Sequence, residues 1–338
     1  MKRAGAVAGA LALGLALLVG GAPAEAAGAK LSATTGVGLH NVYDQAAFPY
    51  FTNSLTSGAG LVELDIWTDT FAGRKRWRVS HDNPFGNANN CTGLGTTGNR
   101  NQDFGSCLDD IRLWHNATPS HQLLVVKVEM KDGFDNTAGM GPDEFDTLIA
   151  GKLGAIVYRP GELLGAYSTL DAAAVADNWP AREALAGRVI VEIIPGTFEQ
   201  KNPFDTYWTD REYATHLRGL AAAGRADTAQ IFPAVLGSAA GDPRTRYADA
   251  TLRPWFVVFD GDALSYVQNG IDTGWYNRQH YLLVMTDAHR VEPAIDVHNP
   301  TEEQATERTR LLAGRGASFV TSDWKALPAV LSLVLPRG

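Results

Sequence analysis

Eight short apolar segments, most ending in polar residues and several followed by helix-like stretches, constrain this chain more than any other feature. They cover residues 36–43, 61–68, 123–131, 188–195, 229–236, 254–262, 281–289 and 317–323. Helix-like stretches stand between several of them, at 143–153, 210–223 and 301–313. The last of these opens Thr301-Glu302-Glu303, acidic residues that suit the positive end of a helix dipole. Strands that alternate with helices pair in parallel, and eight of them predict an α/β fold: a single (β/α)8 TIM-type barrel, irregular in places. A further short strand at 77–81 is expected to fold back on the second as a hairpin. No internal repeat, low-complexity tract or linker interrupts the pattern, so residues 27–338 read as one domain.

His40, Asp65, Glu129, Asp262, Asp287, His289 and Asp323 all fall near the C-terminal ends of their segments, the face on which barrel enzymes build their sites. In the third segment Val125, Lys127, Glu129 and Lys131 alternate with Val126, Val128 and Met130, so one face is apolar and the other mixed and charged. Within Leu61-Val62-Glu63-Leu64-Asp65-Ile66-Trp67 both carboxylates share one strand face. Like charges side by side on a half-buried strand are unfavourable unless a cation or several donors compensate them. Asn41, Glu63, Asp65 and Glu129 together offer an amide oxygen and three carboxylates, the donor set of a hard cation such as Ca²⁺. His40 and His81 stay outside that set, free to move protons as base and acid. Singly, each residue has a plainer reading: a hydrogen-bonded histidine, a turn asparagine, or a Glu-x-Asp pair ion-paired to Lys127 or Arg78. Together they require several separate accidents on neighbouring strands, and the site is the more economical explanation.

The chain begins with Lys2 and Arg3, an apolar run over about residues 6–20, and Ala22-Pro23-Ala24-Glu25-Ala26-Ala27. That is the layout of a secretory signal peptide over residues 1–26, and the apolar run is shorter than the ~20 residues that span a bilayer. The mature protein is therefore expected to be secreted and extracellular. The formal net charge is −8, and no basic block exceeds Arg74-Lys75-Arg76, which excludes nucleic acid as an expected partner. The two cysteines, Cys91 and Cys107, flank a Gly/Asn/Thr-rich segment with little to pack. In an oxidising compartment a disulfide is the favoured reading, with two free thiols as the alternative; companions for a thiolate zinc site are missing.

His40-Asn41-x-Tyr43, Val62-Glu63-Leu64-Asp65-x-Trp67, Ser80-His81 and Val126-Lys127-Val128-Glu129 resemble the catalytic region of calcium-dependent phosphatidylinositol-specific phospholipases C, the small secreted bacterial members above all. The late Gly316-Ala317-Ser318-Phe319-Val320-Thr321-Ser322-Asp323 is similar to the last barrel strand of that superfamily. The resemblance implies that His40 takes the proton from the inositol 2-hydroxyl, which attacks the adjacent phosphorus, while His81 protonates the departing diacylglycerol oxygen. It implies Asn41, Glu63, Asp65 and Glu129 as ligands of a Ca²⁺ cofactor, and a phospholipid at a membrane interface as the substrate, with no obligate protein partner. Basic and aromatic residues of later strands contact the inositol in that family; Lys131, Tyr276 and Arg278 are the candidates here. Phe198, Phe204, Tyr207 and Trp208 are candidates for the interface itself, or for packing under a loop.

The alternative enzyme is a glycerophosphodiester phosphodiesterase, which resembles this chain in its Glu-x-Asp pair, its two histidines and His81-Asp82. Those enzymes begin with His-Arg-Gly, where this chain has His40-Asn41-Val42. The non-enzyme alternative is a secreted barrel that binds sugar or lipid without turnover, against which both histidines and all four ligand candidates argue.

Overall fold

The computed structural model describes residues 28–82, 89–268 and 270–338. The expected signal peptide at 1–26 lies outside them. Ten strands form one sheet: β1 (Thr34–Leu39), β2 (Leu61–Asp69), β3 (Arg76–Val79), β4 (Leu124–Met130), β5 (Val189–Pro195), β6 (Ile231–Leu236), β7 (Val258–Asp262), β8 (Leu282–Thr286), β9 (Phe319–Ser322) and β10 (Val334–Pro336). Eight are parallel neighbours in the order β1-β9-β8-β7-β6-β5-β4-β2, and β1 also pairs with β2, which closes the barrel. β3 adds to β2 and β10 to β1, both antiparallel and outside the ring.

Closure depends on small residues in β1. A Cβ on Gly38 would lie 2.7 Å from the Leu61 Cβ and 2.9 Å from a Thr321 methyl, so any larger residue would push β2 and β9 apart. The outer layer is made by amphipathic helices. Phe104–Ala117 buries Phe104, Cys107, Leu108 and Ile111, and Thr209–Ala222 buries Tyr213, Ala214, Leu217 and Leu220, each at helical spacing. Pro142–Leu153 and Glu302–Ala313 complete it, the latter capped by a Thr301–Gln304 capping box. β6 and β7 are joined by 3₁₀ turns without an α-helix, and β1 and β2 by the five-residue Phe51–Leu55, which makes the barrel irregular.

Two expected strands are shorter than their apolar segments. β1 stops at Leu39 because Asn41 takes φ +48°, and β8 stops at Thr286 because Asp287 takes φ +51°. Left-handed residues cannot continue a strand, and Asn and Asp tolerate that conformation best. Cys91 and Cys107 form a disulfide, Cα–Cα 5.0 Å, that fastens the 91–107 loop to the first turn of helix Phe104–Ala117. Next to it, the buried Asn90 amide donates to the carbonyls of Val42 and Phe48 and holds the loop that carries Asn41. No helix among the described residues is long and apolar enough to cross a membrane.

Candidate active site

Registered neighbours in parallel strands face the same way. Glu63 lies beside Lys127, which lies beside Glu192, and one layer higher Asp65 lies beside Glu129. This register delivers the charged side chains of β2, β4 and β5 into the barrel interior and leaves Val62, Leu64, Val126, Val128, Val191 and Ile193 for the outer helices. Oxygens of Glu63, Asp65 and Glu129 all fall within 4.8 Å of one another. Asp65 is 1% exposed, and its Oδ1 accepts no hydrogen bond among the described residues. Burial, then the Glu129 and Glu63 carboxylates, push its pKa up to about 7. A buried, crowded and partly unpartnered carboxylate set is what a divalent cation would relieve.

Lysines thread this cluster. Lys127 Nζ lies 3.2 Å from Glu63 Oε1 and 3.0 Å from Asp260 Oδ2 on β7, fully enclosed. Burial works against its charge, but Asp260 and then Glu63 outweigh it and hold the ammonium well above its usual range. Lys131 Nζ lies 2.7 Å from Asp65 Oδ2 and 2.9 Å from Glu129 Oε1. Glu129 Oε1 also accepts from the Thr197 amide at 2.8 Å.

His40 stands just beyond β1, its Nε2 3.5 Å from Glu63 Oε2 and its Nδ1 3.3 Å from Asp323 Oδ1 beyond β9. Burial alone would lower its pKa; the Glu63 carboxylate and the Asp323 hydrogen bond prevail and raise it to about 9. The Asn41 side-chain oxygen accepts from the Tyr43 hydroxyl at 2.9 Å. His81 arrives by the hairpin: the Ser80 amide donates to the Asp65 carbonyl and the Trp67 indole to the Ser80 carbonyl, which folds β3 back over the end of β2. Its Nε2 is 4.0 Å from Asp65 Oδ2, and its Nδ1 is 2.7 Å from Asp82 Oδ1. The two histidines therefore approach the carboxylate cluster from different strands.

A cavity of about 260 Å³ opens over this cluster, lined by His40, Glu63, Lys127, Glu129, Asp260 and Asp287 among others. It shares Pro195, Gln200 and Leu236 with a neighbouring cavity of about 500 Å³ under the loop after β5. A third, of about 450 Å³, lies against His40, Asn41, Phe48, His298, Asp323 and Lys325.

His40, Glu63, Asp65, His81 and Glu129 thus come together, Asn41 stands next to His40 with its side chain tied to Tyr43, and Lys131 joins the group by bridging two carboxylates. Tyr276 and Arg278 do not. Both sit on helix Gly274–Arg278, which leads into the N-terminal end of β8, the opposite end of the barrel. Tyr276 is fully buried against Phe259, Tyr266 and Trp275, and Arg278 is exposed and paired with Asp272. Residues that precede a strand approach its entry, and their place in the sequence carried that signal. Asp323 as the partner of His40, and Asp260 and Glu192 around Lys127, were not singled out; they come from strands far apart in sequence and meet only through closure.

A solved structure described as a Ca²⁺-dependent phosphatidylinositol-specific phospholipase C from Streptomyces antibioticus is 54% identical to this chain, with a TM-score of 0.89 over 91% of this chain and 99% of that one. The chain belongs to the calcium-dependent phosphatidylinositol-specific phospholipase C family. Membership makes it a phosphoric diester hydrolase or lyase by class and sets aside the glycerophosphodiesterase alternative. A calcium-dependent phosphoinositol-specific phospholipase C from Pseudomonas sp., solved with myoinositol, has the same fold at 17% identity, with a TM-score of 0.69 over 93% of this chain and 98% of that one. No protein-family model matches the sequence, and no curated protein sequence is similar to it.

Proposed function

We propose that this family member is an exported, Ca²⁺-dependent phospholipase C that cleaves phosphatidylinositol to diacylglycerol and inositol phosphate through a cyclic inositol phosphate. The observation that carries the reading is the meeting of two histidines, on separate strands, at one under-satisfied carboxylate cluster, in a chain 54% identical to an enzyme described with that activity. Asn41, Glu63, Asp65 and Glu129 are the residues that would hold Ca²⁺, which when bound supplies positive charge to acidify a substrate hydroxyl and offset charge on the phosphorus oxygens. In its neutral form, which the Glu63 charge disfavours until a cation offsets it, His40 takes the hydroxyl proton on Nε2, with Asp323 fixing the tautomer through Nδ1. His81, oriented through Nδ1 by Asp82, gives its Nε2 proton to the departing diacylglycerol oxygen. Water then opens the cyclic product with the two roles reversed.

The lipid interface is supported by apolar side chains on loops at the C-terminal face. Phe204 is 93% exposed, Phe71 70% and Phe198 54%, the last tilted against Trp67 at the end of β2 with ring centroids 5.3 Å apart. Aromatic tips around a site mouth suit shallow insertion among lipid headgroups. Export is supported by the leader composition and by the disulfide.

The two histidine roles are tested by His40→Ala and His81→Ala. Each should lose at least about a thousandfold in turnover, as removal of a general acid or base does, while Ca²⁺ binding persists. Turnover within tenfold of the parent in either variant would refute the role.

A further inference from the structure

Two buried ammoniums, Lys127 in β4 and Lys131 just after its end, follow the same inward alternation, and they differ in their partners. Lys127 has Asp260, a carboxylate that is not among the metal-ligand candidates, in addition to Glu63. Lys131, 2% exposed, has Asp65 and Glu129 as its carboxylates, and beyond them the Thr197 hydroxyl at 3.5 Å. Both carboxylates are proposed metal ligands.

An ammonium has three donors, and these contacts use all three. Asp65 Oδ1 is still left without a hydrogen bond, so Lys131 compensates the cluster only in part. Ca²⁺ bonds oxygen ligands, carboxylates among them, at about 2.3–2.6 Å and takes six to eight in all. The ligand oxygens here lie within 4.8 Å of one another, so a metal among them competes for the atoms that Lys131 now holds. Two cations packed onto the same oxygens also repel each other directly.

We infer that Lys131 is an internal cation that keeps the metal ligands assembled without Ca²⁺ and releases Asp65 and Glu129 when Ca²⁺ binds. Metal binding is then an exchange of one cation for another, and Lys131 weakens the apparent affinity. This rests on the metal reading above. It makes Lys131 a positioning residue for the metal site rather than a reader of the headgroup.

Calorimetric titration of Ca²⁺ into the mature protein, Lys131→Met and Lys131→Arg tests it without any assay of turnover. With the competitor and one like charge removed, Lys131→Met should bind Ca²⁺ about tenfold tighter or more, whereas Lys131→Arg, which keeps the charge, should not gain. Equal or weaker binding by Lys131→Met overturns the exchange. A parent protein that binds no Ca²⁺ overturns the metal reading and the exchange with it. Should Lys131→Met fold poorly with its carboxylates uncompensated, the parent protein carries the test. Its Lys131 ε-methylene NMR signal, assigned by its loss in Lys131→Arg, should move with the midpoint of Ca²⁺ binding. A signal unmoved at saturating Ca²⁺ overturns the proposal.

Discussion

Replacing Lys127 with Met removes the only ammonium at the base of the charged interior among the described residues and keeps nearly the same volume. Around it, burial and then the Asp260 carboxylate push Glu192 up to about 8, so Glu192 is mostly protonated at pH 7. Glu63 is held below its ordinary value: burial opposes ionisation, but Lys127 and His40 prevail. Asp260 rises to about 6, with burial the main cause and Lys127 opposing it. The working cluster at neutral pH is therefore two carboxylates on one ammonium. Removing one partner of a buried ion pair costs about 3–5 kcal/mol, because the other charge is left uncompensated. Asp260 is already close to neutral pH and takes up a proton in the variant, which places the loss near the lower end, about 3 kcal/mol. With an unfolding entropy of about 2.1 cal/mol/K per residue over roughly 310 residues, that lowers Tm by about 5 °C. Urea and thermal unfolding at pH 7 measure it, and Lys127→Met/Asp260→Asn should recover at least about 1 kcal/mol relative to the sum of the single variants. A loss below about 1 kcal/mol, or strict additivity, would refute the view that these groups act as one ion-paired unit.

Exposed Phe204 should matter to vesicles and not to chemistry. Burying a phenylalanine is worth roughly 1.5–3 kcal/mol, so Phe204→Ser should weaken sedimentation with phosphatidylinositol vesicles by about tenfold or more. Hydrolysis of monomeric short-chain substrate should stay unchanged, and equal losses in both assays would count against an interfacial role. Glu199 is the buried residue of the short helix Thr197–Lys201 that also carries exposed Phe198, and burial pushes its pKa from an ordinary 4.5 up to about 8. A raised carboxyl pKa means that the folded chain keeps a proton the unfolded chain has lost. The associated stability is whole below about pH 4.5, falls as the pH rises, and is gone above about 8. Glu199→Gln should therefore match the parent at pH 4 and exceed it in urea unfolding at pH 8.5; a stability difference independent of pH would contradict the assignment.

Much of this architecture was legible in the chain because barrel strands announce themselves as apolar runs with polar C-terminal ends, and all eight are found close to their expected places. The helix Phe104–Ala117 was not expected: its first turn follows a Gly/Asn/Thr-rich loop, although Phe104, Cys107, Leu108 and Ile111 carry a helical period. β10 is three residues long and exists through its pairing with β1, a contact no local pattern encodes. The same distinction holds at the site. His40, Asn41, Glu63, Asp65, His81 and Glu129 stand out in the sequence because motif and strand position coincide. Asp323, Asp260 and Glu192 acquire their roles from closure and register, which juxtapose strands far apart in sequence. Of the plainer alternative for the Glu-x-Asp pair, the ion pair of Glu63 with Lys127 is present, while Arg78 hydrogen-bonds Gln102.

The most direct test of the account is hydrolysis of phosphatidylinositol vesicles by the mature protein, with Ca²⁺ and then with a chelator, both phosphorus products being followed by NMR. Calcium-dependent appearance of a cyclic inositol phosphate, then of inositol phosphate, with matching diacylglycerol, is the predicted result. Cleavage that persists undiminished in chelator, or phosphatidylinositol left intact in the presence of Ca²⁺, would contradict it.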